Sequence, residues 1–282
     1  EDIAISYSVD GDSFPVIISL RKSFPDVPHL NVTPRDEPKS LCVDERSWPE
    51  ARLTWTGASL LRRIEQWLSL NAVGALHADD QPLEPFLLAR GVVVVPDDVF
   101  SPDTATDVYK GNGIGDPNDG RITIRLSKSE EGDSDPNGVE FYCIRCIGRA
   151  TVHGIINRCP VNFDELKTTL ADAGIDLVAD LKEQVGEILE AQAPSDESRL
   201  LVLAKLPRQR DEGGDVQNVE QVAFGMMSIL EVAEATGWYG RNPDGIGVSA
   251  LLKNQYDSNF ATNVHVEPFR LSNNTSRDLA RV

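Results

Sequence analysis

Cysteine, methionine and aromatic residues are what this 282-residue chain has least of: four Cys, two Met, and Phe, Trp and Tyr together at 6%. So few cysteines, spread over positions 42, 143, 146 and 159, exclude a disulfide-stapled scaffold and suit a reducing cytoplasm. No apolar run approaches the roughly 20 residues of a membrane span, and no basic-then-apolar leader opens the sequence. Positive charge is scarce as well. Lys and Arg number 27 against 45 Asp and Glu, a net charge of −18. Such a chain has little electrostatic attraction for phosphate backbones, which argues against nucleic acid as a partner. Residues 91–282 hold most of the excess, with 18 basic and 31 acidic side chains against 9 and 14 in residues 1–90. The acidity reads as a solvated surface, or more sharply as an acidic face for a basic partner. The chain opens on Glu1 and its methionines are Met226 and Met227, so it reads as an excised part of a longer protein.

What is present is enough for a core. Hydrophobic residues make up 40% of the chain, and the length predicts two domains, with a boundary near Arg90. Ile3–Val9 alternates apolar and polar residues, Asp10 to Ser13 is a hairpin signal, and Phe14–Leu20 is a second strand. A helix is expected from Ser59, with Leu60, Leu61, Ile64, Trp67 and Leu68 on one face and Arg62, Arg63, Glu65 and Gln66 on the other. The Val run of Gly91–Val95 predicts a buried strand, and the Asp, Gly and Pro of residues 96–119 a linker or long loop. Beyond it, strands are expected over Arg121–Leu126, Val139–Gly148, Ala150–Asn157, Leu200–Leu206 and Val264–Leu271. Helices are expected over Phe163–Ala173, Asp176–Gln192 and Val219–Ala235, with a polar loop at Pro207–Asp215. The fold class is therefore α+β. No internal repeat is visible.

One stretch, Phe24 to Pro85, organises the rest. Pro25 and Pro28 end a strand, since neither can donate to a sheet. An irregular segment with Pro34 and Pro38 follows, and it carries Cys42. Buried structural cysteines usually sit inside strands or helices, whereas a loop held by rigid neighbours is where reactive groups sit. Phe24-Pro25, His29-Leu30-Asn31, Leu41-Cys42-Val43, Trp48-Pro49 and Asp79-Asp80-Gln81-Pro82-Leu83 come in that order, with the helix before the last of them.

That order resembles the ubiquitin-conjugating enzyme fold, whose strands lead through a proline turn and a His-Pro-Asn motif to the catalytic cysteine, a Trp-Pro pair and a helix. The resemblance covers about the first 90 residues. Leu30 replaces the motif proline, the gap from Asn31 to Cys42 is a few residues longer than usual, and the family's opening helix and first strand are absent. The stretch looks closest to the bacterial branch fused to a ubiquitin-activating-like adenylation domain, as in anti-phage systems of the CBASS type. It implies an antiparallel meander with a packed helix over residues 1–90, and a second, mixed α/β linker domain over residues 91–282 ahead of an adenylation domain. No adenylation motif is present, so no ATP chemistry is expected here, and no cofactor.

The resemblance implies roles. Cys42 would carry a ubiquitin-like protein as a thioester, Asn31 would stabilise the oxyanion during transfer to an amine, and His29 would hold the loop by hydrogen bonds. His77 and Asp79 lie in the turn after the helix, which faces the cysteine in that fold. A carboxylate there orients or deprotonates an incoming lysine, a His–Asp pair beside a Cys also suits a hydrolytic triad, and a plain turn explains both residues too. Expected partners are a ubiquitin-like protein, the activating-like adenylation domain and an acceptor protein, and a homodimer is compatible with the sequence. The rival reading is a binding or scaffold module that keeps the fold without the reaction, which Leu30 and the longer loop favour and Cys42 opposes.

Two other patterns carry less. Cys143, Cys146, His153 and Cys159 have the residue types of a zinc site, but a strand over 141–147 sends the first two to opposite faces, so no metal is expected. Gly111-Asn112-Gly113-Ile114-Gly115 lacks the Lys-Ser/Thr of a phosphate loop and reads as a turn. Trp238-Tyr239 reads as a core anchor.

Overall fold

A computed structural model describes residues 1–34, 37–44, 46–77, 81–89, 91–104, 107–115, 122–128, 139–191, 194, 197–226, 228–236, 239–241, 248–250 and 258–273. Arg90, Asp79 and Trp238 lie outside them. Two compact units emerge. The first is Glu1–Leu88 together with Val152–Arg158 and Arg210–Gly213; the second is Ala89–Thr151, Cys159–Gln209 and Gly214–Val282.

In the first unit the alternation of the opening residues becomes an antiparallel hairpin. Strand β1 (Ile3–Ser6) pairs with β2 (Val16–Ser19), Ile3 opposite Ser19 and Ser6 opposite Val16. Two further strands are only two residues long, β3 (Leu30–Asn31) and β4 (Ser40–Leu41). The sheet order is β1-β2-β4-β3, which corrects the expected meander: β4, and not the earlier β3, lies beside β2. After β4 come a short helix, α1 (Trp48–Ala51), and the long helix α2 (Gly57–Ala72). Helix α2 begins two residues earlier than Ser59. Thr56 is its cap, accepting the Ser59 N–H at 3.0 Å, while Ser59 Oγ accepts the Thr56 N–H at 3.0 Å. The helical spacing of Leu60, Ile64 and Trp67 puts all three in the core, packed with Ile17, Phe24 and Leu41. The Phe24 and Trp67 rings stack at 6.3 Å.

The second unit opens on the predicted Val strand, β5 (Gly91–Val95). Then come β6 (Val108–Gly115), β7 (Ile122–Lys128), β8 (Val139–Ile147) and the two-residue β9 (Thr151–Val152). Helices α3 (Phe163–Asp172) and α4 (Leu177–Ala191) follow, and Asn162 caps α3 by accepting the Glu165 N–H at 2.9 Å. Strands β10 (Arg199–Gln209) and β11 (Val216–Met226) precede α5 (Ile229–Ala235). The last elements are β12 (Tyr239–Arg241), β13 (Val248–Ala250), α6 (Ser258–Ala261) and β14 (Val266–Asn273).

Seven of these strands close on themselves. The hydrogen-bonded order β11-β14-β5-β7-β6-β8-β10 returns to its start because β10 also pairs with β11. Closure removes the sheet edges. The interior is filled by alternate residues of each strand, among them Val93 and Val95, Tyr109, Leu126, Phe141 and Cys143, Leu201 and Leu203, and Phe269. Glycines make room for the rings. A Cβ on Gly91 would lie 2.4 Å from the Phe269 ring, and one on Gly111 would lie 2.4 Å from the Phe141 ring. Outside, α4 packs on β8 and buries Leu177, Leu181, Val185 and Ile188. Gln184 of α4 treats β8 as a strand neighbour would. Its Oε1 accepts the Arg145 N–H at 2.8 Å and its Nε2 donates to the Arg145 carbonyl at 3.0 Å.

Several expectations are corrected here. Val219–Ala235 is not one helix: residues 216–226 extend as β11, paired with β10 from Leu200 opposite Met226 onward, and only Ile229–Ala235 is helical. Residues 96–119 are not all linker, because β6 occupies 108–115 and puts Gly111 to Gly115 in a strand instead of a turn. Strand character over Ala150–Asn157 is limited to Thr151–Val152, and β10 runs to Gln209, inside the expected polar loop.

The close approach of Phe269 to Gly91 makes a testable point. Gly91→Ala should destabilise the protein by about 1–3 kcal/mol, the usual cost of overpacking a filled interior. Chemical denaturation should show the loss, and the double change Gly91→Ala with Phe269→Leu should recover part of it.

Candidate functional site

Cys42 leaves β4 directly. Its N–H donates to the His29 carbonyl at 3.0 Å, extending the β3–β4 pairing by one bond before the backbone turns away. Asn31 reinforces the same pairing from the side. Its Nδ2 donates to Ser40 Oγ at 2.9 Å and to the Leu41 carbonyl at 3.2 Å. His29 is held in the left-handed region at φ 56°, which a non-glycine residue adopts only where neighbours enforce it. Glu84 is one such neighbour: Oε1 accepts the His29 N–H at 3.3 Å and lies 3.6 Å from Nδ1 of its ring.

The Cys42 thiol is in no disulfide and partly exposed, with Sγ 3.9 Å from the Asp44 carbonyl oxygen. It lines a cavity of about 430 Å³. Val43, Asp44 and Arg46 continue the wall on its own loop, and Arg63, Gln66, Trp67 and Leu70 of α2 form the opposite side, with His29 and Leu76 completing it. The cysteine therefore faces the middle and later turns of α2 and not its beginning.

Asp44 fixes the loop. Its side chain is only 3% exposed and accepts Arg46 Nε at 3.0 Å and Nη2 at 2.7 Å, with Arg63 Nη1 at 3.3 Å. The Arg46 hydrogen bond holds the Asp44 carboxyl below the usual carboxylate range, helped by the charge of Arg63 and opposed by burial. Neither arginine nor Asp44 was marked by the sequence as a site residue. Asp44 and Arg46 follow the cysteine by two and four positions, which was the available signal. Arg63 sits on the polar helix face, where solvent is the default expectation.

His77 is not on the cavity wall, although its neighbour Leu76 is. Its ring lies between two others, 5.3 Å from His29 and 4.2 Å from His153. Arg210 completes this row, with Nη1 3.4 Å from His77 Nδ1 and Nη2 donating to the Gln81 carbonyl at 2.8 Å. Gly154, at φ 112°, lets the segment that carries His153 lie against Pro28. Three of the chain's four histidines thus gather in the first unit, from positions too far apart for any local pattern to pair them. Among the described residues no group of three His, Cys, Asp or Glu side chains could hold a metal ion.

The cysteines of the second unit differ in kind. Cys143 points into the closed sheet, and burial pushes its thiol up to about 12. Cys146 points outward beneath α4, where burial and the Asp180 carboxylate raise it well above the ordinary thiol value. Strand alternation puts the two on opposite faces, so they do not share a ligand.

Residues 1–105 match the family model described as prokaryotic E2 family A, and the likeness covers the cavity and Cys42. It supports a conjugation-related transferase at a coarse level. No curated protein matches the chain. No helix among the described residues is long and apolar enough to cross a membrane.

The depressed Asp44 carboxyl predicts a pH signature. A group of lowered folded pKa stabilises above its unfolded value and loses that contribution as pH falls through the folded one. The stability gap between wild type and Asp44→Asn should be largest near neutral pH and shrink as pH falls below about 4. Urea melts at several pH values would show it.

Proposed function

We propose that the first unit is a thioester carrier and transferase for a ubiquitin-like protein, with Cys42 as the acyl-carrying residue. The observation that carries the reading is a partly exposed thiol on irregular backbone, at the wall of a cavity, within the stretch similar to prokaryotic E2 proteins. An activating-like adenylation domain hands over the activated C-terminus. Thiol exchange forms a new bond from the acyl carbon to Cys42 Sγ, breaks the donor's C–S bond and leaves the donor thiol. The acceptor amine then attacks that carbon, the C–N bond forms, and the sulfur leaves as the Cys42 thiolate. The amine's surplus proton passes to solvent or to a nearby base.

The other residues have supporting roles in this reading. His29 holds the Cys42 backbone through its carbonyl. Asn31 stabilises the oxyanion of the transfer step, giving up one of its present bonds to do so. His77, and Asp79 outside the described residues, belong to the turn that receives the acceptor. Residues 91–282 act as the linker region ahead of an adenylation domain, in a bacterial anti-phage conjugation protein.

Loading assays test this with the activating domain and the ubiquitin-like partner supplied. Wild type should form an adduct that vanishes with thiol reductant, and Cys143→Ala should behave alike. Cys42→Ser should give a reductant-resistant oxygen ester or nothing. Asn31→Ala should load normally but transfer to an amine about 10²-fold more slowly, the usual cost of one oxyanion donor. Loading that persists in Cys42→Ala would falsify the assignment of the carrier.

A further inference from the structure

Among the described residues, the side chains lining the cavity beside Cys42 offer more hydrogen-bond donors than acceptors. Asp44 is its buried carboxylate, and both of its oxygens are engaged by Arg46 and Arg63. Among the described lining residues, two guanidinium groups face one carboxylate. Arg63 makes only the 3.3 Å contact to Asp44 among the described residues, and its side chain is 38% exposed, so most of its five N–H donors are unspent. Gln66, one turn further along α2, lines the same wall. The indole N–H of Trp67, itself 3% exposed and part of this wall, is buried with no hydrogen-bond partner among the described residues. A buried donor left unmatched is destabilising until a ligand or solvent acceptor reaches it. Glu50, whose carboxylate accepts the Ser47 N–H at 3.2 Å and the Ser47 hydroxyl at 2.8 Å, acts by its charge on Arg46, so Arg63 is the less neutralised cation of the wall.

From this surplus we infer that the cavity is an anion subsite, taking a carboxylate carried by the molecule that reacts at Cys42. Arg63 and Arg46 are its specificity-determining residues. The planar fork of a guanidinium matches a carboxylate in two parallel bonds; Asp44 steadies Arg63 through one contact and leaves its fork to the ligand, while Arg46, whose Nε and Nη2 are spent on Asp44, contributes charge. The inference deepens the transferase reading by naming the substrate class, and it rests on that reading only for what the bound molecule does next. The carboxylate has two sources, an acidic side chain near the C-terminus of the acyl donor, or one beside the acceptor amine.

Alkylation of Cys42 tests the subsite without partner or activating domain. Iodoacetate and iodoacetamide bring the same carbon to the thiolate and differ in carrying a carboxylate or an amide. The ratio of their rates at Cys42, relative to the ratio for N-acetylcysteine, should be raised about threefold to tenfold at low salt, as expected for one nearby positive charge. The ratio should fall toward that of the free thiol in Arg63→Gln and Arg46→Gln, while Arg63→Lys, which keeps the charge, should retain most of it. Acetate should slow iodoacetamide labelling of wild type saturably, and of Arg63→Gln not at all. That arm separates a site from a diffuse field, so non-saturable protection would overturn the proposal. A wild-type ratio equal to that of N-acetylcysteine would also overturn it, whatever the loading assays give. Failure of loading with a raised ratio would instead remove the transferase reading and leave the subsite standing.

The sources separate on Cys42 loaded from a peptide thioester. Faster discharge by 6-aminohexanoate than by hexylamine, lost in Arg63→Gln, assigns the carboxylate to the acceptor. Faster loading by a Glu-containing than by a Gln-containing peptide thioester assigns it to the donor. Neither preference would mean that the cavity selects no carboxylate.

Discussion

A pairing of two residues against two carries the site. Leu30 and Asn31 meet Leu41 and Ser40, and the next bond, from the Cys42 N–H to the His29 carbonyl, is where regular structure ends. A pairing so short has little stability of its own. It persists because each end is tied elsewhere. Asn31 clamps Ser40 and Leu41 from the side, Glu84 holds the left-handed His29, and Leu41 is buried against Leu60 and Trp67 of α2. The thiol is thus delivered to a cavity wall by backbone that cannot slide by one residue without turning Leu41 out of the core.

Electrostatics shape the far side of the same loop. A nearly buried carboxylate is costly unless it is paired and hydrogen-bonded. Asp44 meets that condition with one arginine from its own loop and one from α2, so the charge pair also ties the Cys42 loop to the helix. The arrangement spends acceptors faster than donors. That imbalance, together with the buried and unmatched indole N–H of Trp67, is what the proposed carboxylate subsite rests on.

What the sequence made legible was whatever depended on near neighbours. The hairpin of β1 and β2, the buried face of α2, the Val strand β5 and the split of Cys143 from Cys146 all follow from periods of two or 3.6 residues. The setting of Cys42 was legible in part: Pro34 and Pro38 mark the irregular segment upstream, but not the two-residue strand β4 that ends one residue before the thiol. Where distant partners decide, the reading failed. Val219 to Met226 has enough apolar residues for a helix face, yet pairing with β10 at eight successive positions makes it a strand, and Ser228 rather than an earlier residue caps the helix that follows. Gly111 looked like a turn residue until Phe141 supplied the reason for its missing side chain. The histidine row joins positions 29, 77 and 153 with Arg210, a set that no local spacing could have assembled.

The claim on which the account turns is that Cys42 Sγ becomes the acyl carrier. Its most direct measurement is peptide mapping by mass spectrometry of the protein loaded by its activating domain, with and without hydroxylamine at neutral pH, which cleaves thioesters and spares amides. The account predicts one adduct, on the peptide containing Cys42, lost completely to hydroxylamine. An adduct that survives hydroxylamine, or that maps to Cys159 or to a lysine while Cys42 stays unmodified, would contradict it.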